Sequence, residues 1–459
     1  MGSNPVVTTK LSDLCELIVD CPHSTPKWTD SGFVVLRNQN IRNGALDLTS
    51  PSYTDEAGYN SRIKRAVPQA GDIVITREAP MGEVCIIPEG LQCCLGQRQV
   101  LLRPKKGISN EYLFWALQSP FVKHQISWNE GTGTTVSNIR IPVLKAFEIP
   151  RWFEQEPQIA AQLSAIDKKI TLNRQINQTL EQMAQTLFKS WFVDFDPVMD
   201  NALDAGNPIP DELQHRAEAR KAVRESEGFK PLPDDVRQLF PDSFEESELG
   251  WVPKGWEMKS VSGALTVNPK VKLSKGQSAH FVDMKALPTS GYSIEEVTHK
   301  AFSGGAKFEQ NDVLLARITP CLQNGKTGFV DFLGADEVGF GSTEFIVLRG
   351  DKDVHHTYIA CLARHEKFRQ HAMQSMVGSS GRQRVQNSCF DDYFIAVPTD
   401  DVMKRFAQMT QPSFDKFKAN TAESIALAEL RDTLLPKLIS GELRLDDVEA
   451  FVEQEAVSA

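Results

Sequence analysis

Hydrophobic and polar residues alternate in two different ways along the chain. Up to Pro150, short apolar runs are separated by Gly, Pro and Asn, which is typical of β-strands joined by tight turns. The clearest runs are Gly32–Arg37, Asp72–Arg77, Gly82–Ile87 and Val100–Arg103. A helical pattern follows over residues 109–126, then a loop rich in Gly, Thr and Ser and a strand that ends at Pro150. This order predicts a body of mixed helices and strands.

After Pro150 the apolar residues recur in steps of three and four, which predicts one long helix over residues 157–192. The stripe consists of Ile159, Leu163, Ile166, Ile170, Asn173, Asn177, Leu180, Ala184, Leu187 and Trp191. Most of these positions are apolar, so the helix has coiled-coil character, and its length would be roughly 54 Å. A long amphipathic helix that lies on a domain is the alternative interpretation.

The chain repeats itself with a period of about 245 residues. Asp72–Arg77 aligns with Asp312–Arg317, and Val100–Arg103 aligns with Ile346–Arg349. Further matches follow in the same order, which indicates a duplicated domain. The second long stripe consists of Phe406, Phe417, Asn420, Leu427, Leu430, Leu434 and Leu438.

Asn173 and Asn420 occupy matching positions in the two stripes. A buried polar pair at such positions costs stability and can fix the register of two paired helices. The alternative is that both side chains face solvent where the helices separate. The sequence leaves these two interpretations open.

The net charge of −10 comes from 60 acidic and 50 basic residues, and it is distributed unevenly. The acidic surplus lies in the Pro-rich segment 196–255, which we interpret as a connector, and near the C-terminus. The two halves of the repeat are therefore close to neutral, and DNA binding is neither excluded nor favoured. No apolar run approaches the ~18 residues of a membrane span, and the N-terminus lacks the pattern of a signal peptide. The eight cysteines lack zinc spacing, so we expect reduced thiols in the cytoplasm.

Motifs for catalysis are incomplete. Asn324–Thr327 resembles the end of a phosphate-binding loop but lacks the preceding glycine, and the histidines around Glu366 lack the HExxH spacing. Asp194 and Asp196 next to three aromatic residues are better explained as helix-end capping and surface charge than as a metal pair. A long chain without a catalytic constellation favours a binding or scaffolding protein.

Several short motifs together carry a family resemblance. The most specific are Ser-Trp-Phe-Val-Asp-Phe-Asp-Pro at 190–197 and Val-Pro-Lys-Gly-Trp at 252–256. The others are Leu11–Leu14, Cys21–Pro26, Ala70–Arg77, Glu130–Asn138, Ile149–Pro150, Phe240–Glu245 and Leu434–Leu443. Over nearly its whole length the chain resembles the specificity (S) subunit of type I restriction–modification enzymes.

This resemblance implies an α+β fold with two duplicated α/β target-recognition domains joined by two long antiparallel coiled-coil-like helices. The expected segments are recognition domains at 1–152 and 256–400, helical spacers at 153–195 and 401–445, an acidic connector at 196–255 and an acidic tail at 446–459. The family implies a subunit without an active site that reads a bipartite, asymmetric sequence in double-stranded DNA. Two methyltransferase subunits, and in some complexes two restriction (motor–nuclease) subunits, are the implied partners. S-adenosylmethionine, ATP and Mg would belong to those partners, and no cofactor, metal or membrane is expected for this chain.

Candidate DNA contacts come from matched positions in the two halves. Arg77 and Arg317 sit at equivalent strand ends, where arginine suits guanine or phosphate, although an internal ion pair is the alternative. Gln97 and Arg98 align with Thr343 and Glu344, and this difference is what two unlike half-sites require. The two glycine-containing loops suit phosphate positioning, or they are plain loops, and the second is the more basic. Their candidate residues are Thr132, Thr134, Thr135 and Asn138 in the first loop and Ser379, Ser380, Arg382 and Arg384 in the second.

Candidate residues for spacer pairing and partner contact lie on the two apolar stripes. They are Ile159, Leu163, Ile166, Ile170, Leu180, Leu187, Trp191, Phe192, Leu427, Leu434 and Leu438. The aromatic cluster of Trp191, Phe192 and Phe195 suits either partner docking or packing at the junction of helix and domain. Two rival functions remain at this point: a stand-alone nuclease or methyltransferase with an unrecognised site, and a scaffold that pairs proteins and ignores DNA.

Overall fold

The computed structural model describes residues 6–128 and 138–458, with side chains up to residue 453. The chain forms two compact units. Unit 1 consists of Met1–Ile170 and Ala426–Ala459, and unit 2 consists of Thr171–Ile425. Each of the two long helices is therefore divided between the units, whereas the sequence segmentation treats the spacers as segments of their own.

The helices and strands are numbered in chain order. The helices are α1 (Leu11–Leu14), α2 (Glu56–Arg62), α3 (Asn110–Gln118), α4 (Pro120–Trp128), α5 (Ile141–Lys145), α6 (Glu156–Phe192), α7 (Asp196–Ala205), α8 (Gln214–Arg224), α9 (Asp234–Arg237), α10 (Val261–Ala264), α11 (His356–Arg364), α12 (Glu366–Gln374), α13 (Asp400–Ser440) and α14 (Val448–Ser458). The strands of unit 1 are β1 (Thr8–Lys10), β2 (Cys15–Asp20), β3 (Trp28–Thr29), β4 (Phe33–Leu36), β5 (Ile41–Arg42), β6 (Ala45–Leu46), β7 (Ser52–Thr54), β8 (Ile73–Thr76), β9 (Val84–Ile86), β10 (Cys93–Leu95), β11 (Gln99–Pro104) and β12 (Glu148–Pro150). The strands of unit 2 are β13 (Phe244–Ser247), β14 (Gly250–Pro253), β15 (Glu257–Ser260), β16 (Thr266–Val267), β17 (Ser278–Val282), β18 (Thr298–Ala301), β19 (Ala306–Phe308), β20 (Val313–Ala316), β21 (Thr327–Phe329), β22 (Gly339–Gly341), β23 (Phe345–Arg349) and β24 (Phe394–Val397).

The α/β body of unit 1, here called domain 1, runs from β1 to β12. Its two four-stranded sheets have the orders β2-β11-β8-β9 and β10-β4-β7-β3. Strand β8 is buried on both faces, because Ile73 and Ile75 pack in one core with helix α3 while Val74 packs in a second core. The continuous apolar run at this point of the sequence is the signature of a strand covered on both sides.

The α/β body of unit 2, here called domain 2, runs from β15 to β24 and repeats this plan. The sheet β16-β23-β20-β21 corresponds to β2-β11-β8-β9, and the short pair β15-β24 corresponds to β1-β12. The remaining sheets share a parallel pair, β4 with β10 and β17 with β22, but their edge strands differ. The predicted duplication is therefore present in the strand order.

A buried ion pair occurs at the same place in each domain. Arg103 donates through Nε and Nη2 to both oxygens of Asp72, at 2.8 and 2.7 Å, and Arg349 does the same to Asp312, at 2.7 Å for both bonds. The two aspartates are almost fully buried. Two-point geometry is the favourable way to bury such charges, so the repeated Asp and Arg of the sequence hold adjacent strands together.

The two long helices run antiparallel within each unit. In unit 1, Ile159 and Leu163 of α6 share a core with Leu434 and Leu438 of α13. In unit 2, aromatic residues near the end of α6 pack against Phe406 near the start of α13. Helix α6 begins one residue before the predicted position, whereas α13 ends at Ser440, before the expected boundary at 445.

The connector is more ordered than a linker. It forms helices α7 to α9 and the hairpin β13–β14, and Val198, Val236 and Phe240 enter the same core as domain 2. A two-point ion pair between Arg220 and Asp200 fastens α8 to α7. The acidic tail also forms a helix, α14. Across the described residues, no helix combines the length and the apolar character that a membrane crossing requires.

Candidate nucleic-acid interface

Arg77 at the end of β8 has internal partners. Its Nη1 donates to Asp20 Oδ1 at 2.8 Å, and its Nε donates to the carbonyl oxygen of Ile139 at 2.9 Å. The backbone N–H of Ile139 donates in turn to the carbonyl oxygen of Arg77 at 3.0 Å. Arg77 thus fastens the residue that follows the first glycine loop, and this geometry favours the internal ion pair over direct contact with DNA.

Arg317 repeats this arrangement in domain 2 without the acid. Its Nη2 donates to the carbonyl oxygen of Val385 at 2.8 Å, and Val385 N–H donates to the Arg317 carbonyl oxygen at 2.9 Å. Among the described residues, its buried Nε has no hydrogen-bond partner and no carboxylate pairs with its guanidinium. The half-buried guanidinium therefore has no directly paired carboxylate, and Glu344, which pairs with Arg384, is the acid that acts on it electrostatically.

The four candidate base readers differ in their surroundings. Gln97 donates to the carbonyl oxygen of His23 at 2.6 Å, and the more exposed Arg98 lies 3.3 Å from Glu78. In domain 2, Thr343 is exposed at the surface, while Glu344 accepts from Arg384 at 2.6 Å. The Arg384 guanidinium lowers the pKa of the Glu344 carboxyl below its usual range. Matched positions thus carry different chemistry in the two domains.

The two glycine loops are unequally described. Thr132, Thr134 and Thr135 lie outside the described residues, and Asn138 is half-buried with an Oδ1 that has no partner in the described part of the chain. The second loop forms a tight turn, closed by backbone bonds between Val377 and Arg384 at 3.0 and 3.1 Å. Ser379, Ser380, Arg382 and Arg384 are all exposed on this turn.

An open groove of about 490 Å³ in domain 2 brings Arg317 and Thr343 together with residues that the sequence analysis missed. Among these are Lys270, which is exposed, and Lys307, whose Nζ donates to the carbonyl oxygens of Val271 at 3.1 Å and Leu273 at 3.4 Å. Alternating lysines after Pro269 were the available signal, since Lys270, Lys272 and Lys275 stand in one short stretch. That stretch alone does not show which strands pair, and the strand pairing is what brings Lys270 beside Arg317.

The spacer candidates face the seam between the two long helices or the adjoining cores. Fully buried are Ile159, Leu163, Ile170, Trp191, Phe192, Leu434 and Leu438, and half-buried are Ile166, Leu180, Leu187 and Leu427. Trp191, Phe192 and Phe195 all lie inside the core of unit 2. The aromatic cluster therefore belongs to junction packing and does not form an exposed docking site.

The two seam asparagines are buried, each with 1% of its surface exposed. Asn173 donates to Glu423 Oε2 at 2.9 Å, and Asn420 donates to Asn177 Oδ1 at 2.8 Å. Neither Asn173 Oδ1 nor Asn420 Oδ1 has a partner among the described residues. The interpretation as a buried polar layer is confirmed, and exposure to solvent is wrong.

The residues that resemble catalytic motifs serve local structure. Lys326 Nζ donates to the carbonyl oxygens of Met284 and Lys285 at 2.8 and 3.2 Å. Asp194 pairs with Lys189, and Asp196 accepts from Ser190 at 2.7 Å. Within the described residues, no group of three or more His, Cys, Asp or Glu side chains is arranged to hold a metal ion.

Comparisons with known proteins agree with this picture. Residues 4–182 match the family model of the type I restriction modification DNA specificity domain. The MjaIX specificity subunit of Methanocaldococcus jannaschii is 24% identical over 393 residues, which cover 82% of this chain and 79% of that protein. The HindI specificity subunit of Haemophilus influenzae is 26% identical over 316 residues, covering 63% of this chain and 67% of that protein. A crystal structure of a type I restriction–modification S subunit from M. genitalium matches 95% of this chain and 97% of its own, with a TM-score of 0.51 and 14% identity, which shows a shared fold.

The duplicated fold and these likenesses define a DNA-recognition protein that has no active site of its own. Over most of its length the chain is similar to the specificity subunits of type I restriction–modification enzymes, and residues 4–182 match their DNA specificity domain.

Proposed function

We propose that each α/β domain reads one half of a bipartite, asymmetric target in double-stranded DNA. The observation that carries this proposal is one fold present twice with different residues at matched positions. Domain 1 presents Gln97 and Arg98 where domain 2 presents Thr343 and Glu344. Unlike side chains suit unlike half-sites, because each base pair offers its own pattern of donors and acceptors in the major groove.

The same proposal makes the chain a scaffold for two methyltransferase subunits, to which two restriction (motor–nuclease) subunits can be added. Apolar side chains outside the seam support it. Leu172 and Met183 on α6 are 48% and 61% exposed, and Met409 and Ile425 on α13 are 41% and 39% exposed. These four side chains are the candidate contacts with a partner subunit in this proposal.

In this proposal the chemistry belongs to the partner subunits. S-adenosylmethionine, ATP and Mg would bind there, while this chain holds no cofactor and no metal ion. The complex would work in the cytoplasm, where the DNA that it modifies or cuts is found.

Methylome sequencing tests the proposal directly. Cells that express this chain with its methyltransferase should carry a bipartite methylated motif that disappears when the chain is deleted. Replacing residues 256–398 with the same domain of a relative should change one half of the motif and keep the other. A motif that changes in both halves would contradict the division between the domains.

Two control experiments address the rival functions. The purified chain alone, with DNA and either S-adenosylmethionine or Mg²⁺, should show no turnover, and any turnover would point to an enzyme. Footprinting of the assembled complex should show two protected stretches. A complex without DNA protection would point to a scaffold that ignores DNA.

A further inference from the structure

The strand ends that carry Arg77 and Arg317 have the same backbone but a different balance of charge. In domain 1, Arg77 pairs with Asp20 at 2.8 Å, and the neighbouring Arg98 lies 3.3 Å from Glu78. Each of these cations thus has an acidic partner. At the strand end of domain 1 these two arginines are thus paired, whereas Arg65 beside them donates to the carbonyl oxygen of Asp20 at 3.1 Å.

Domain 2 has a proline where domain 1 has this acid. Strand β2 places Ile18 opposite Leu102, and β16 places Val267 opposite Leu348, which is the repeat counterpart of Leu102. Asp20 lies two residues after Ile18, and Pro269 lies two residues after Val267. Asp20 and Pro269 therefore occupy matching positions. The duplicated domains therefore share the arginine but not its carboxylate partner.

The groove beside Arg317 collects positive charge. Three of its lining side chains are cationic, namely Lys270, Lys307 and Arg317, and none of its lining residues is acidic. The nearby Glu344 pairs with Arg384 at 2.6 Å and also interacts electrostatically with Arg317, so one carboxylate is shared between two arginines.

The cations of this groove are held by neutral groups. Lys307 donates to the carbonyl oxygens of Val271 and Leu273, and Arg317 donates to that of Val385. Carbonyl partners fix the position of a cation without cancelling its charge, so the field in the groove stays positive. An open, positively charged groove attracts a polyanion, and phosphate contacts position a protein on a duplex without reading its sequence.

We propose that this groove anchors the phosphodiester backbone of DNA, and that the matched place in domain 1 is silent because Asp20 neutralises Arg77. The proposal rests on the proposed DNA-reading function of both domains and adds an asymmetry to it. Domain 2 supplies the electrostatic anchor at its strand end, and domain 1 does not.

The test restores the missing acid in the full-length chain. Pro269→Asp places a carboxylate beside Arg317, and Pro269→Asn is the matched control because it makes the same backbone change without the charge. Lys270→Gln is a second route that alters one exposed side chain and leaves the backbone as it is. Thermal melting of each variant checks that the fold is retained.

Binding is measured by fluorescence anisotropy with a labelled duplex of mixed sequence over a range of NaCl concentrations. Removal of one phosphate contact should lower the slope of log K against log salt by about 0.9. We expect that decrease for Pro269→Asp and for Lys270→Gln, with Pro269→Asn close to wild type. Asp20→Asn, which frees Arg77 in domain 1, should raise the slope by a similar amount.

Several outcomes would overturn the proposal. An unchanged slope for Pro269→Asp and Lys270→Gln, while the wild type binds, removes the anchor but leaves the DNA-reading function in place. An unchanged slope for Asp20→Asn removes the asymmetry. A wild-type chain without any salt-dependent binding contradicts the anchor and also the DNA-reading function of the isolated chain.

Free phosphate is a second source of the same chemistry. Titration calorimetry with inorganic phosphate in the absence of DNA, on the wild type and on Pro269→Asp, separates the two sources. Phosphate uptake by the wild type that is lost in Pro269→Asp, together with an unchanged salt slope of DNA binding in Pro269→Asp, would assign the groove to a small anion and overturn a backbone anchor.

Discussion

Domains 1 and 2 are most alike where they are buried and least alike where their strands end. The pairs Asp72–Arg103 and Asp312–Arg349 have the same two-point geometry, and in both domains a backbone N–H three residues earlier donates to the aspartate, at 2.8 and 2.7 Å. At the strand ends, by contrast, Arg77 has an acidic partner, whereas Arg317 has none among the residues that the structure describes. Buried charges tolerate little change because an unpaired one is costly, whereas a half-exposed strand end can change with the DNA sequence that it meets.

The largest effect is expected when one of the two domains is removed. A fragment of residues 1–195 would expose Ile159 and Leu163, which pack against Leu434 and Leu438 in the full chain. Each fully buried side chain contributes about 1.5–3 kcal/mol, so two copies should pair through the same stripe and form a twofold dimer. With methyltransferase present, this dimer should methylate an inverted repeat of the first half-target.

Light scattering and methylome sequencing check this fragment prediction. Leu163→Lys within the fragment is the control, because a charge on the stripe should keep the fragment monomeric. Methylation of the original asymmetric site by the fragment would show that the two domains are not independent readers.

The two buried ion pairs should contribute equally to the stability of the two domains. Arg103→Met should leave Asp72 buried without its partner and cost about 3–5 kcal/mol of the free energy of unfolding, and Arg349→Met should do the same to Asp312. Urea unfolding followed by circular dichroism measures both losses. Each double variant that also changes the aspartate to asparagine should lose less than the single variant. A large loss in one domain alone would show that the two pairs have different roles.

The seam asparagines test the equivalence of the two spacer stripes. Asn173→Leu removes the hydrogen bond that Asn173 donates to Glu423 and leaves the Asn420–Asn177 bond in place, and we expect a loss of about 1–3 kcal/mol in the free energy of unfolding. The double variant Asn173→Leu, Asn420→Leu replaces both buried amides by apolar side chains and should recover most of that loss, because apolar residues suit the seam. Thermal melting gives the two values. A double variant as unstable as the single one would mean that the layer stabilises the pair, and does not merely fix its register.

The smallest expected effect is a difference between the two domains in how their stability depends on pH. His355 caps the start of helix α11, and burial and the neighbouring His356 lower its pKa to about 4. The matching residue, which caps α3 in domain 1, is Ser109, which does not titrate. The neutral imidazole is favoured in the folded state, so its contribution is complete above the ordinary histidine pKa of about 6.5 and is lost as the pH falls towards 4. Because His355 is partly exposed, we expect a loss of only about 1–2 kcal/mol.

Urea unfolding between pH 7 and pH 4 should therefore show acid sensitivity that depends on His355. His355→Ser, which copies domain 1, should flatten the pH dependence of this step. An unchanged pH profile in His355→Ser would place the acid sensitivity elsewhere.

Much of the fold could be predicted from the sequence, because it depends on local periodicity. Helix α6 begins within one residue of its predicted start, and the repeat of Asp72–Arg77 in Asp312–Arg317 correctly indicated duplication. The packing of the connector was missed, since Pro-rich acidic composition hides the few apolar residues that join the core of unit 2. The net charge of a whole domain also does not show which of its surfaces is positive.

The candidate site was harder to predict because its chemistry depends on partners that are far apart in the chain. Arg77 and Arg317 look equivalent in sequence, but Arg77 pairs with the distant Asp20 and Arg317 does not. Lys270 and Lys307 join the same groove from separate segments. Partner identity of this kind is set by strand register, which single-sequence patterns do not give.

The discontinuity of unit 1 has a consequence for synthesis on the ribosome. Trp152 Nε1 donates to the carbonyl oxygen of Ile439 at 3.0 Å, and a Cβ at Gly441, which has a φ of +72°, would overlap the Trp152 ring. Unit 1 therefore needs residues from the last part of the chain, whereas unit 2 is continuous and all of it is translated earlier. Domains generally fold in the order in which they emerge, but here the unit that begins the chain is completed last. A stop codon shortly after residue 425 would leave unit 2 complete. Unit 1, which is translated first, would lack its last segment.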